Sequence, residues 1–302
     1  MEHKLPNVII AGVNKAGTSS LFTYLVQHPE VCGSSKKETC YFLPLRYGEE
    51  IKPLDEYENF FKHCNKEKIR IEATPGYFYG GKVLAKKIKE TLKNPKIIFI
   101  LREPVDRCFS FYKHTQAKLW IPKDITFDQY IKNAMKNITK QHLEEKDYFE
   151  RGVKESIYIE FLREWYDVFK KDDIKILFFD DLKNNPYSLI VSLTKWLDID
   201  DKFYNNFSFE IENKSMNYKN KYVHIIALNL YRILEPFLRK NYNLKKYIRK
   251  VYYLVNLSKH NSDLDPNTRK LLEEFYMPYN KELSIFLKKQ GYSNLPNWLN
   301  IK

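Results

Sequence analysis

With 302 residues, 43% of them hydrophobic and 29% charged, the chain can bury a substantial core, and wholesale disorder is excluded. No stretch reaches eighteen uncharged apolar residues, so no transmembrane helix is expected, and the short polar lead before Val8 predicts no signal peptide. The formal net charge of +13 directs attention to anionic partners, while Cys32, Cys40, Cys64 and Cys108 lack metal-ligand spacing, are too few for a disulfide framework and fit a reducing cytoplasm.

The first predicted element is an apolar strand over Val8–Gly12, and it runs directly into Gly12-Val13-Asn14-Lys15-Ala16-Gly17 and an S/T-rich helix over Thr18–Gln27. Such a loop presents successive backbone N–H groups, and the helix N-terminus adds its positive end, so together they cradle a phosphate-like anion. The nucleoside-triphosphatase loop, G-x-x-x-x-G-K-[ST], carries its lysine after the second glycine and a hydroxyl for Mg²⁺. Here the glycine spacing is kept, but Thr18 follows Gly17 and the lysine, Lys15, sits inside the loop. The pattern predicts an anion cradle for a donor handled without a metal.

Further along, strands are predicted at Lys68–Glu72, Lys96–Leu101 and Ile174–Phe179. Helices are predicted at Val83–Leu92, Val105–Lys118, Phe127–Lys136, Lys154–Lys170 and Ser188–Leu197. Tyr158, Phe161, Leu162, Trp165 and Phe169 recur at helical spacing and read as core. The polar, Asn-rich stretch Phe207–Asn220 reads as a loop leading into an all-helical C-terminal portion. The alternation predicts an α/β fold: a P-loop-like central parallel sheet flanked by helices, in a single domain over residues 1–302.

The strand Lys96–Leu101 ends in Arg102, and Ser110 follows eight residues later on the next helix. Ligands of open α/β sheets bind at the carboxyl ends of the strands, so these two residues can converge on a second phosphate. Taken alone, Arg102 and Arg107 read more readily as ordinary helix-start salt-bridge residues than as a ligand site. Paired with the glycine loop, they suit a nucleotide phosphorylated at both ends.

The two motifs resemble the 5′-phosphosulfate loop and the 3′-phosphate motif of sulfotransferases that use 3′-phosphoadenosine 5′-phosphosulfate. The likeness is nearest to heparan-sulfate-type N- and O-sulfotransferases and their bacterial relatives. It extends over Gly12–Thr18 with Leu21 and His28-Pro29, over Lys37–Phe42 (the family's K-E-x-x-F-F), and over Glu72–Phe78 (its E-K-S-P-x-Y-F). Asp265 to Trp298 is similar to the family's closing run. The resemblance implies a sulfuryl transferase using that donor, with no metal, and a saccharide or glycolipid acceptor. Lys15, Ala16, Gly17, Thr18, Ser19 and Ser20 would hold the 5′-phosphate, and Arg102, Ser110 and Lys259 the 3′-phosphate. Lys15 would also neutralise charge on the leaving group, and Glu38 would take the acceptor's proton. Ser110-Phe111-Tyr112-Lys113-His114 resembles the S-x-Y-x-H of N-sulfotransferases and makes His114 the second acid–base candidate. From the residues alone, Glu38 after Lys36 and Lys37 reads as a surface ion pair, and His114 equally as a histidine capping a loop carbonyl. His28, before a proline, reads as structural.

Two departures stand out. Where the family carries K-G-R, the chain reads Ser258-Lys259-His260-Asn261, without glycine or arginine. The acceptor-binding segments match no single subfamily. Two other classes stay open: a P-loop kinase or hydrolase using the aspartates after Ile174–Phe179, and a non-catalytic glycan-binding protein on the same scaffold. Finally, Tyr218 to Lys259 holds ten lysines or arginines against one acidic residue, Glu235, among many aromatics. Such a segment fits peripheral membrane contact, an acidic glycan or a solvated helix face, and no recognition motif points to nucleic acid.

Overall fold

The computed structural model describes residues 4–210, 218–240, 242–256 and 264–300. Five parallel strands, β1 (Val8–Gly12), β2 (Val31–Gly33), β3 (Ile69–Ala73), β4 (Lys96–Leu101) and β5 (Ile174–Phe178), form one sheet in the order β2-β3-β1-β4-β5. The central β1 is buried along its whole length, as its unbroken run of apolar residues requires for a strand covered on both faces. Its register pairs Ile10 with Ala73 on one side and Ile98 on the other, so β3, β1 and β4 end side by side.

Helices α1 (Thr18–Leu25), α2 (Leu54–Glu58), α3 (Gly81–Leu92), α4 (Pro104–Ala117) and α5 (Phe127–Lys136) follow the chain through the first four strands. Next come α6 (Tyr148–Lys154), α7 (Tyr158–Tyr166), α8 (Phe179–Asn184) and α9 (Pro186–Leu197). The C-terminal portion contains α10 (Lys221–Lys240), α11 (Tyr242–Asn256) and α12 (Pro266–Lys289). No described helix is long and apolar enough to cross a membrane.

The predicted helix Lys154–Lys170 is shorter, α7 over Tyr158–Tyr166, and Lys154 instead ends α6, which the sequence reading did not include. Glu155, Ser156 and Ile157 separate the two helices, and the break serves a buried ionic cluster. Arg46 Nη2 and Arg151 Nε each donate to Glu155 at 2.8 Å, and Arg107 Nη1 lies 3.5 Å from it. Arg107 Nε also donates to Ser156 Oγ at 2.6 Å, so the break seats α4 against α6 and α7. Burial pushes the Glu155 carboxyl up, but Arg151, Arg46 and Arg107 outweigh it and hold it down at about 2. The aromatic stripe of α7 is core as expected: Tyr158, Leu162, Trp165 and Phe169 are buried, and Phe161 packs against them.

One expectation is overturned. Cys32 on β2 and Cys64, in the turn leading to β3, form a disulfide with Cα atoms 5.8 Å apart. Parallel pairing of β2 with β3 brings the two together across 32 residues, which linear spacing does not reveal. Cys40 and Cys108 are free. An inference of a reducing compartment from unpaired cysteines therefore loses its basis.

Candidate active site

The residues singled out in the sequence gather beyond the carboxyl ends of β3, β1 and β4. Gly17 caps α1 in the left-handed conformation, φ 89°, and a Cβ there would lie 2.8 Å from Leu182 and 3.1 Å from Phe179. Only glycine meets both demands without strain. Thr18 and Ser20 are buried and Ser19 half-buried in the first turn, where helix N–H groups have no intrahelical partner. The Ala16 amide is engaged inside the loop, donating to the Val13 carbonyl at 3.4 Å, so the cradle is centred on the residues after it.

Lys15, also at positive φ, is half-buried. Burial, together with the charges of Arg102 and Lys118, lowers its ammonium to about 8, opposed by the carboxylate of Glu38. Lys15 is thus predominantly charged at neutral pH and lies within electrostatic reach of Glu38. Arg102 Nη1 donates to the Lys15 carbonyl at 3.1 Å, and its guanidinium lies 4.6 Å from the centre of the Phe179 ring. Tyr158 OH donates to the Arg102 carbonyl at 2.7 Å and fixes the backbone there. Arg102 Nε is buried and has no hydrogen-bond partner among the described residues. An unsatisfied buried donor of a charged group is costly, and a bound phosphate oxygen would satisfy it.

The α4 helix begins at Pro104, with Glu103 accepting from the Val105 and Asp106 N–H groups. That start places buried Ser110 two turns beyond Arg102, and half-buried His114 one turn further. Burial, then the charges of Lys15 and Lys118, hold the His114 imidazole down at about 3. It is therefore neutral at physiological pH and shares the neighbourhood of Lys15. Its ring meets Trp120 edge-on at 5.5 Å, and Trp120 stacks on Tyr148 at 4.9 Å.

Glu38 is exposed and ion-paired with Lys37 at 2.7 Å, as the lysines before it suggest. Its backbone is nevertheless fixed: φ is 62°, and its N–H donates to the Ala73 carbonyl at the end of β3, at 3.0 Å. What lies beneath Glu38 is not visible in the linear order of residues. Thr39 donates its hydroxyl to buried Glu72, and Tyr57 OH donates to the same carboxyl at 2.9 Å. Tyr77 OH accepts from the Phe42 N–H at 3.2 Å. Burial pushes Glu72 up to about 7 against these hydrogen bonds. The Glu38 loop therefore rests on a buried carboxyl, a network that only the packing of residues 33 positions apart reveals.

His28 is buried with Nε2 2.8 Å from the Asp200 carbonyl, a structural role. Asp180, the metal-ligand candidate of the kinase reading, lies 3.4 Å from Trp298 Nε1 as its hydrogen-bond acceptor. Lys259 and the segment replacing K-G-R lie outside the described residues.

Comparison with known proteins identifies the family and the fold. The family model for the sulfotransferase domain matches residues 5–251. The chain is 38% identical over 108 residues to "Membrane-associated sulfotransferase kil1" of Dictyostelium discoideum, covering 36% of this chain and 22% of that protein. It is 22% identical over 313 residues to the "Bifunctional heparan sulfate N-deacetylase/N-sulfotransferase" of Drosophila melanogaster, covering 98% of this chain and 27% of that protein. The chain thus spans about a quarter of the length of these relatives. A crystal structure of a sulfotransferase from Alicyclobacillus acidocaldarius superposes with a TM-score of 0.67 at 22% identity, covering 97% of this chain and 98% of that one, a likeness of fold. With its family match running through the glycine loop, Arg102 and α4, the chain belongs to the sulfotransferase family.

Proposed function

We propose that the protein transfers a sulfuryl group from 3′-phosphoadenosine 5′-phosphosulfate to a hydroxyl or amine of a carbohydrate or glycolipid acceptor. The observation that carries this reading is the junction of two anion sites: Arg102 bonded to the Lys15 carbonyl at 3.1 Å, its buried Nε without a partner among the described residues. Gly17, Thr18 and Ser19 would hold the 5′-phosphate through backbone N–H groups and hydroxyls, and Arg102 with Ser110 the 3′-phosphate.

The donor, when bound, supplies a sulfuryl group on an activated phosphate linkage. In the transfer the bond from sulfur to the phosphate oxygen breaks, and one from sulfur to the acceptor oxygen or nitrogen forms. Lys15 neutralises charge growing on the leaving phosphate, and Glu38 receives the acceptor's proton. The fixed backbone at Glu38 holds the base in place, so little reorganisation is needed during reaction. His114, kept neutral, orients the acceptor and is the reserve base. No protein–metal step is invoked, and chelation should leave turnover intact.

An acceptor of the saccharide class is supported by the stacked Trp120–Tyr148 pair beside His114, because exposed aromatic faces suit the apolar faces of sugar rings. The relatives named for heparan sulfate chemistry point the same way. The test is incubation with radiolabelled donor and a set of oligosaccharides, some with free amines and some bearing only hydroxyls. Label should move to one class of sugar; a protein that binds donor yet labels none of them would contradict the acceptor assignment.

A further inference from the structure

The C-terminal helices α10 and α11 expose apolar surface that no other part of the described chain matches. Twelve of the nineteen large apolar side chains exposed among the described residues lie between Tyr222 and Val255. They are ordered. Tyr222, Ile226 and Ile233 recur at helical spacing along α10, and Tyr247, Val251 and Leu254 do so along α11. The two helices pack on each other, yet these stripes stay open to solvent, with Tyr222 77% and Leu254 81% exposed.

The root of the hairpin is firmly built. His224 is buried, with Nδ1 2.6 Å from Tyr252 OH and Nε2 2.7 Å from the Ala117 carbonyl at the end of α4. Asn220 and Asn256 exchange backbone and side-chain hydrogen bonds across its base, the Asn220 N–H donating to Asn256 Oδ1 at 2.6 Å. Lys123 donates to the Tyr218 carbonyl at 2.9 Å and lies over its ring. The root of the hairpin thus sits at Ala117, one helical turn beyond His114 on α4, and the apolar stripes extend from that anchored base.

Charge selects what covers it. From Lys219 to Lys250 the sequence holds nine lysines or arginines and a single acidic residue, Glu235, while Lys219, Lys221 and Lys250 are exposed. A second copy of so basic a face would set like charges against one another. An anionic bilayer receives both properties at once: apolar and aromatic side chains enter the headgroup boundary, and lysines and arginines meet the lipid phosphates. Neither helix is apolar enough to span, so the element lies on the surface. We propose that the α10–α11 hairpin docks the protein on an anionic lipid surface, which sets that surface at the His114 end of α4. This docking is independent of the donor assignment and deepens the acceptor reading, because a lipid-linked saccharide would be presented there.

Co-sedimentation of the full chain with phosphatidylcholine vesicles, with and without phosphatidylglycerol, tests it. Because each basic residue near such a surface adds about 1 kcal/mol, the anionic vesicles should bind at least about tenfold more protein, and added salt should weaken the binding. The triple variant Ile226→Ser, Ile233→Ser, Leu254→Ser, which leaves the charge unchanged, should lose binding through the apolar term. The variant Lys219→Glu, Lys221→Glu, Lys250→Glu should lose it through charge, leaving the apolar stripes and the core untouched. Retained thermal stabilisation by nucleotide shows that each variant is folded and separates failure here from failure of the donor reading. Equal binding to both vesicle types would overturn the proposal. So would anionic binding indifferent to the charge variant, or a wild-type dimer in solution that the apolar variant dissociates. Capture by an acidic glycan, with no vesicle binding, would assign the surface to that glycan instead.

Discussion

Arg102 donates from Nη1 to the carbonyl of Lys15 at 3.1 Å, so the residue that ends β4 holds the loop that follows β1. One hydrogen bond from the Arg102 side chain to the Lys15 backbone thereby couples the two proposed phosphate sites, and removing that side chain should be felt according to which phosphate is present. Charge-assisted bonds to phosphate contribute about 1.5–3 kcal/mol each. Arg102→Ala should weaken binding of 3′-phosphoadenosine 5′-phosphate roughly tenfold or more. AMP, which lacks the 3′ group, should lose much less. Calorimetric titration with both ligands decides it, and equal losses would place Arg102 away from the 3′-phosphate.

Lys15 should act on the transition state. Lys15→Ala is expected to lower kcat about a hundredfold, the scale found when one donor to developing charge is removed. A change confined to KM would assign it to uniform binding. Its pH signature follows from its ammonium, lowered from 10.5 to about 8. The cation is lost as pH rises through about 8, so nucleotide affinity of the free protein should decline above that point. The unfolded chain, by contrast, keeps this proton up to its higher pKa. Between about 8 and 10.5 the unfolded state therefore binds more protons, and Lys15 should make ligand-free stability rise with pH across that window. Melting temperatures with and without nucleotide across this range should converge, and Lys15→Arg should abolish the convergence.

Glu38→Gln keeps the shape of the proposed base and removes its proton affinity. Donor binding should persist while turnover falls by roughly 10²–10⁴-fold. The loss in His114→Ala should be smaller, because an imidazole held down at about 3 is a weak base. Rate measurements on both variants check the order, and near-normal kcat in Glu38→Gln with a large loss in His114→Ala would transfer the role to histidine.

The ionic cluster should dominate the stability of the α4 seat. Glu155 is fully buried and faces Arg46, Arg107 and Arg151, so Glu155→Gln leaves three cations without their shared carboxylate. Breaking a buried pair by removing one partner costs about 3–5 kcal/mol. A denaturant-unfolding midpoint that barely moves would show that solvent or rearrangement compensates these charges.

The strands β1 and β4 were legible because each is a continuous apolar run, and the boundaries found match those expected from sequence. The three-residue β2 was not, since so short a segment carries no periodicity. The late start of α7 was hidden for a different reason: Glu155 looks like an ordinary helix residue until the fold surrounds it with arginines. At the site, Lys15, Gly17, Arg102 and Ser110 could be named from loop and strand-end chemistry. The support under Glu38 could not, because Thr39, Tyr57, Glu72 and Tyr77 meet only in three dimensions. The pairing of Cys32 with Cys64 escaped for the same reason.

The central claim is that one nucleotide is gripped at both ends without a metal. Calorimetric titration of the wild-type protein in EDTA with 3′-phosphoadenosine 5′-phosphate, AMP and ATP tests it most directly. The bisphosphate should bind at least about tenfold more tightly than AMP, matching one further charge-assisted phosphate contact, and more tightly than ATP. Equal affinity for the bisphosphate and AMP, or a preference for ATP that appears only with Mg²⁺, would contradict the account.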